Sequence, residues 1–182
     1  MAIVLNGTTG ITAPDIDVTA QSTDIVTTGD ISAVNATLSG GVYLGGTGAA
    51  NKLEDYEEGT WTPTMDAGTV TYLNTVYTKI GRLVTLHADI TSVSDDTSTT
   101  AFGIGGLPFT PTDGTFYTGN VYGEIVDSGF EHLVVHIHGS NDRIYAIAGM
   151  GITGFASSLR YADINNGSDF AFRFSLTYQT DA

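Results

Sequence analysis

Nine residues near the C-terminus, FAFRFSLTY at 170–178, alternate without a break. Phe170, Phe172, Phe174, Leu176 and Tyr178 fall on one face, and Ala171, Arg173, Ser175 and Thr177 on the other. A side-chain period of two with one apolar face is that of a half-buried antiparallel strand; a helix would scatter the same residues around its axis. Such a strand needs neighbours to bond its backbone, so the rest of the chain must supply a sheet. Runs of the same kind lie at 70–78 (VTYLNTVYT), 80–91 (IGRLVTLHADIT), 116–127 (FYTGNVYGEIVD), 133–138 (LVVHIH) and 143–150 (RIYAIAGM), separated by turns rich in Gly, Asn and Asp. No segment carries a helical period. The pattern predicts an all-β chain whose main part is an antiparallel β-sandwich of jelly-roll type, for which about 120 residues suffice.

The N-terminal part has a different composition. Residues 1–51 hold no Lys or Arg and a single aromatic, Tyr43, among Gly, Thr, Ala and Asp. That is too little apolar mass for a separate core. Ile16 and Val18, set between Asp15, Asp17 and Thr19, read as a short strand with one apolar face, and Gly-rich turns at 7–10, 29–30 and 45–48 punctuate the segment. Two readings follow: a disordered tail, or an extended arm that buries its sparse Ile and Val against copies of itself or against another protein. The expected organisation is an extended arm and stem over 1–52 and a β-sandwich domain over 53–182.

Charge excludes several partner classes. Six Lys and Arg against 20 Asp and Glu give a net charge of −14, so the phosphate-neutralising patch of a nucleic-acid binder is missing, as is a basic membrane anchor. The chain has no Cys, hence no disulfide framework and no thiolate zinc site. The start, MAIVLNGTTG, has no cationic leader, and no apolar run is long enough to cross a bilayer, so neither a secretory signal nor membrane insertion is expected.

Chemical motifs are few. Gly149, Gly151 and Gly154 match GxGxxG, but too little chain follows for a βαβ unit, and a turn or bulge is the better reading. The stretch Gly46–Lys52 approaches a phosphate loop, yet Asn51 stands where the second Gly belongs and no Ser or Thr follows Lys52. Glu54, Asp55, Glu57 and Glu58 crowd one short segment, whereas a glycosidase needs two acids facing each other across a sugar. There is no Cys nucleophile and no Gly-x-Ser-x-Gly elbow. His136 and His138, two apart on a strand, share a face opposite Leu133, Val135 and Ile137. Around a threefold axis they would present six nitrogens to a metal; otherwise they mark an exposed or interfacial strand face. His87 and His132 read as ordinary strand-face and turn residues. No catalytic, cofactor-binding or metal-ligating residue is assigned, and no cofactor is expected.

The stretch GVYLGGTGAANKLEDYEEGTWTPT at 41–64, with YTKIGRLV at 77–84 and the start MAIVLNGTTGIT, resembles a junction in tail-fibre proteins of tailed bacteriophages, in particular marine and cyanobacterial ones. The resemblance implies a non-enzymatic virion protein: an intertwined homotrimer, held to other virion proteins by its N-terminal arm, with a β-rich tip for attachment to a host cell-surface receptor. Segment 41–64 would then be a joint, with Leu53 and Tyr56 packed where stem meets tip, its acids solvated, and Trp61 opening the first tip strand. Loops at Asp113–Asn120 and Asn141–Arg143 are the expected contact surfaces, and a neutral saccharide suits an aromatic, acidic surface better than an anionic one. The alternative is a capsid decoration or cement protein, or a capsid-surface fibre. A polysaccharide depolymerase is the enzymatic alternative, and the absence of a separated acid pair weighs against it.

Overall fold

In a computed structural model of the 182-residue chain, the residues described are 34–38, 40–53, 55–123, 132–138, 142–149, 157–164 and 170–181. The chain divides into two units, Met1–Thr37 and Leu38–Ala182. Most of the expected arm, residues 1–33, lies outside the described residues.

The second unit is antiparallel β-structure throughout, without an α-helix among the described residues. Strands β1 (Val42–Tyr43) and β2 (Lys52–Leu53) pair with each other as a small hairpin. The others are β3 (Tyr56–Thr60), β4 (Thr64–Met65), β5 (Val70–Ile80), β6 (Leu83–Val93), β7 (Gly103–Gly105), β8 (Phe116–Gly123), β9 (His132–His138), β10 (Ile144–Gly149), β11 (Ser157–Ser158) and β12 (Phe172–Gln179). They form one ten-stranded sheet in the spatial order β3-β5-β6-β12-β8-β9-β10-β7-β4, with β11 alongside β10. Two single-turn 3-10 helices, Ala49–Asn51 and Tyr161–Asp163, sit between strands.

The alternating run at the C-terminus behaves as its period requires. In β12, Phe172, Phe174, Leu176 and Tyr178 are buried while Arg173, Ser175, Thr177 and Gln179 are exposed. The strand begins only at Phe172, because Phe170 and Ala171 are both buried and the alternation fails there. Its neighbour β6 buries Val84, Leu86, Ala88 and Ile90 on the same face. Val135 and Ile137 of β9 and Ile144, Ala146 and Ala148 of β10 complete an inner face with essentially no solvent contact. A fully buried Phe or Leu contributes about 1.5–3 kcal/mol, so this face dominates the stability. The run at 80–91 is divided by a two-residue turn: Ile80 closes β5, and Gly81, at φ +56°, turns the chain into β6. Within β5 the register shifts around Leu73, which stands 75% exposed as the bulged residue.

The sheet curls, and connectivity shows why. Strands β3 and β4 lie at opposite ends of the nine-strand path, yet only Trp61, Thr62 and Pro63 join them in sequence. A flat sheet of that order would hold its ends roughly 38 Å apart at ~4.8 Å per strand spacing. A three-residue link spans at most about 14 Å. The two ends must therefore approach each other, and the inner face closes around one core.

The link is fixed at several points. Trp61 is buried, packs edge-on against Phe174 at 6.5 Å, and donates its indole N–H to the His87 carbonyl at 3.3 Å. It ends β3 rather than opening a strand, a correction to the sequence expectation, and its carbonyl is held by the Thr75 hydroxyl. Pro63 is buried beside it. Gly106, at φ +80°, passes so close to the link that a Cβ there would lie 2.1 Å from the Thr62 carbonyl oxygen. The fully buried Tyr161 secures the far end: its hydroxyl accepts from the Asp66 N–H at 2.9 Å and donates to the Gly103 carbonyl at 3.2 Å. Phe102 packs against both Tyr161 and Phe172, with ring centroids 5.2 and 5.3 Å away.

These contacts separate two glycines that share a positive φ. Gly114, at φ +75°, has open space around the position of a Cβ, so Gly114→Ala should cost only the left-handed backbone strain, about 1–2 kcal/mol. Gly106→Ala adds a collision with the Thr62 carbonyl and should cost about 2–5 kcal/mol. Urea denaturation of both variants checks the order; equal midpoints would mean that the link does not hold the sheet closed.

Candidate functional site

The outer face of the sheet carries the polar residues of the same alternating strands, interrupted on β8, β9 and β10 by a cluster of rings. Phe116 opens β8 and lies directly opposite His138 of β9, while His136, two residues earlier, lies opposite Tyr145 of β10. Cross-strand partners share a face, so the register alone collects these four rings on the outer side, away from Val135, Ile137, Ile144 and Ala146. The Phe116 ring lies 4.1 Å from that of His138 and 6.3 Å from that of His136, and His136 lies 6.0 Å from Tyr145. With Ala101 and Ser158 they line an open cleft of about 320 Å³, near the lower end of the range of small-ligand sites.

The ring environments differ. Phe116 is 65% exposed, an unusual state for a phenyl ring on a sheet with a dry inner face. His136 is half-buried, its Nδ1 is shielded from solvent, and the backbone of Tyr145 lies within hydrogen-bonding reach of the ring. Burial holds the His136 imidazole below the ordinary histidine range; the neighbouring His138 pushes the same way, and a backbone group of Tyr145 offsets part of the effect. Neutral imidazole can both donate and accept a hydrogen bond. Beside the cleft, Arg143 precedes Tyr145 by two residues and is held in a 2.6 Å ion pair with Asp66.

The other sequence motifs resolve into structure. Gly46–Lys52 forms the connection of the β1–β2 hairpin: the Leu44 N–H bonds the Asn51 carbonyl at 2.8 Å, and no strand–loop–helix unit is built. Gly149 ends β10, and the remainder of that glycine motif lies outside the described residues. Among the crowded acids, Glu54 also lies outside them. Asp55 pairs with Lys79, whose ammonium is almost wholly buried and stands 5.4 Å above the Phe109 ring. Glu57 accepts from the Tyr77 hydroxyl and Glu58 from the Tyr56 hydroxyl, on opposite faces of β3. Asp55 and Glu57 thus tie the first strand of the sheet to β5, while the Glu58 bond stays within β3. His87 is exposed on β6, and His132 opens β9 instead of sitting in a turn.

The expected contact loop at Asp113–Asn120 is a loop only in its first part, because Phe116–Asn120 belongs to β8. Of Asn141–Arg143, Asn141 lies outside the described residues. The shared face of His136 and His138 is legible from their spacing; Phe116 and Tyr145 are not, since only the register of three strands brings them there. Among the described residues, no three His, Cys, Asp or Glu side chains gather in a way that could hold a metal ion. Nor is any helix among them long and apolar enough to cross a membrane. Comparison with protein-family models, with curated proteins and with solved structures found no match.

The depressed basicity of His136 has a thermodynamic consequence. The folded state favours the neutral ring, so the unfolded chain binds more protons below its own midpoint of about 6.5. The contribution of this residue is complete above that pH and is lost as pH falls through the lower midpoint of the folded state. Ring-proton NMR should place the His136 titration below about 6.5, and His136→Asn should flatten the fall in stability over that window. A midpoint at or above the ordinary value would contradict the burial described.

Proposed function

We propose that this chain is a non-enzymatic virion protein: a homotrimeric tail-fibre subunit of a tailed bacteriophage that anchors by its N-terminal arm and displays its β-domain for attachment to a host surface. The curled sheet is read as a flattened, sandwich-like tip, and residues 1–52 as arm and stem.

The observation that carries the reading is a second break in the polar outer face. Tyr56, Ile80 and Leu83 lie directly opposite one another across β3, β5 and β6, and they are 61%, 48% and 46% exposed. Just before them in the chain, the β1–β2 hairpin exposes Val42, Tyr43, Leu44 and Leu53. Apolar side chains aligned in a row are costly in water and suit burial against another surface. These residues occupy the segment, 41–64 and 77–84, that resembles the fibre junction, where a trimer would bring stem and tip together. A multivalent binder follows from that symmetry: three weak sites held together gain avidity without any new contact.

Light scattering of the full chain tests the assembly. The expected mass is about 57 kDa, three times the 19.0 kDa chain, and replacing Tyr56, Ile80 and Leu83 together by Thr should lower it. A monomeric intact chain would remove the trimer from this reading. Isolated protein should also adsorb to susceptible bacteria and compete with intact virions; failure on both counts would remove the attachment role.

A further inference from the structure

The cleft on β8, β9 and β10 narrows its own ligand class. Among the described residues its lining holds no carboxylate and no Lys or Arg, but Phe116, His136, His138, Tyr145, Ser158 and Ala101. An anionic ligand would meet a chain of net charge −14. Among the described residues, cationic side chains are engaged in the pairs Lys79–Asp55, Arg82–Asp181, Arg143–Asp66 and Arg173–Asp89. A metal ion would find two imidazoles, with the Phe116 ring against one of them at 4.1 Å. A wholly apolar ligand would cover the Ser158 hydroxyl and the imidazole edges in the lining without bonding them. What remains is a neutral ring with one apolar face and a periphery of hydroxyls.

We propose that this cleft binds a neutral hexopyranose, one face of the sugar stacked on Phe116 and its hydroxyls bonded to His136, Ser158 and the rim formed by Tyr145 and His138. The proposal rests on the attachment reading above and names the ligand class of its contact surface. The exposed phenyl ring supplies a flat apolar platform at low conformational cost, since its position on β8 is fixed by the sheet. The exposed Ser158 hydroxyl and the imidazole edges of His136 and His138 line the same cleft and supply the polar groups that a ring of hydroxyls needs.

The test uses the full chain and three probes, the methyl glycosides of galactose, glucose and mannose, with the methyl glycoside of N-acetylneuraminic acid as the anionic comparator. Ring-proton NMR of His136 and His138 reads binding directly. At least one neutral glycoside should shift both rings. Phe116→Ala should weaken binding about tenfold or more, and Ser158→Trp, which fills the cleft from an exposed position and removes no aromatic residue, should abolish it. The proposal falls if no neutral glycoside shifts these rings, if the affinity is unchanged in both variants, or if the anionic comparator binds more tightly. Adsorption to susceptible cells separates the two readings. If wild type adsorbs and Phe116→Ala adsorbs equally well, the cleft is overturned and attachment stands; if wild type binds a glycoside but no cells, attachment falls and the cleft stands.

Discussion

The three residues Trp61–Pro63 impose the constraint on which the rest of the sheet depends. They tie together strands that the hydrogen-bond order places at opposite ends, so the sheet has to curl. A curled sheet has one face that water cannot reach, and that face holds Leu86, Ile90, Ile137, Ile144, Phe172 and Leu176. Closure also explains the glycines of the partner strand. At Gly103 a Cβ would meet the Asp66 carboxylate, at Gly105 the Arg143 guanidinium and the Thr64 hydroxyl, and at Gly106 the Thr62 carbonyl. The end of the sheet that receives β4 lacks side chains because the backbone and the ion pair of the returning chain occupy their places. The Tyr161 hydroxyl then joins β7 to the segment after β4, with burial raising its pKa above the ordinary phenol value.

With the apolar residues committed inward, the outer face should be polar, and much of it is. Arg173 of β12 pairs with Asp89 of β6 at 2.9 Å and lies 5.8 Å from the Tyr122 ring, and the hydroxyls of Thr85 and Thr177 meet at 3.1 Å. Such exposed pairs add little stability, typically below about 1 kcal/mol each. They do keep the face hydrated and in register. Against that background the two departures stand out: the row Tyr56–Ile80–Leu83 and the ring cluster around Phe116. Both consist of side chains whose burial would be favourable and that this chain leaves uncovered.

The strands with a full period of two were legible in the sequence because one face of each is more buried than the other. The short strands were not. In β7 all three residues are buried, and the segment Gly103–Gly105 offers two side chains of hydrogen alone, so no alternation exists to be read. The acidic β3 reads as a solvated joint, since its bonds to Tyr77 and, through Asp55, to Lys79 come from a strand about twenty residues away. Tyr161 and Phe102 carry no local signal at all; their importance arises from contacts across the closed core. The candidate site divides in the same way. The shared face of His136 and His138 follows from spacing, whereas the company of Phe116 and Tyr145 depends on which strands became neighbours and in what register.

That origin bears on what the cluster is suited to do. A recognition surface made of loops must order those loops when it binds, at a cost of about 1–2 kcal/mol for each backbone residue fixed. Here the rings stand on three adjacent hydrogen-bonded strands, two of which bury their inner faces, so their spacing is set before any ligand arrives. A small open cleft of this kind cannot surround a ligand, and its affinity for one sugar ring is bound to be modest. Pre-ordering offsets part of that weakness within a chain, and multiplication of identical sites across the proposed trimer would offset much of the rest, provided the sites are held in fixed relation. The exposed apolar row near the start of the sheet is the feature that could hold them so. In the proposed fibre, a weak, rigid cleft and a surface for self-association would be complementary parts of one design for attachment.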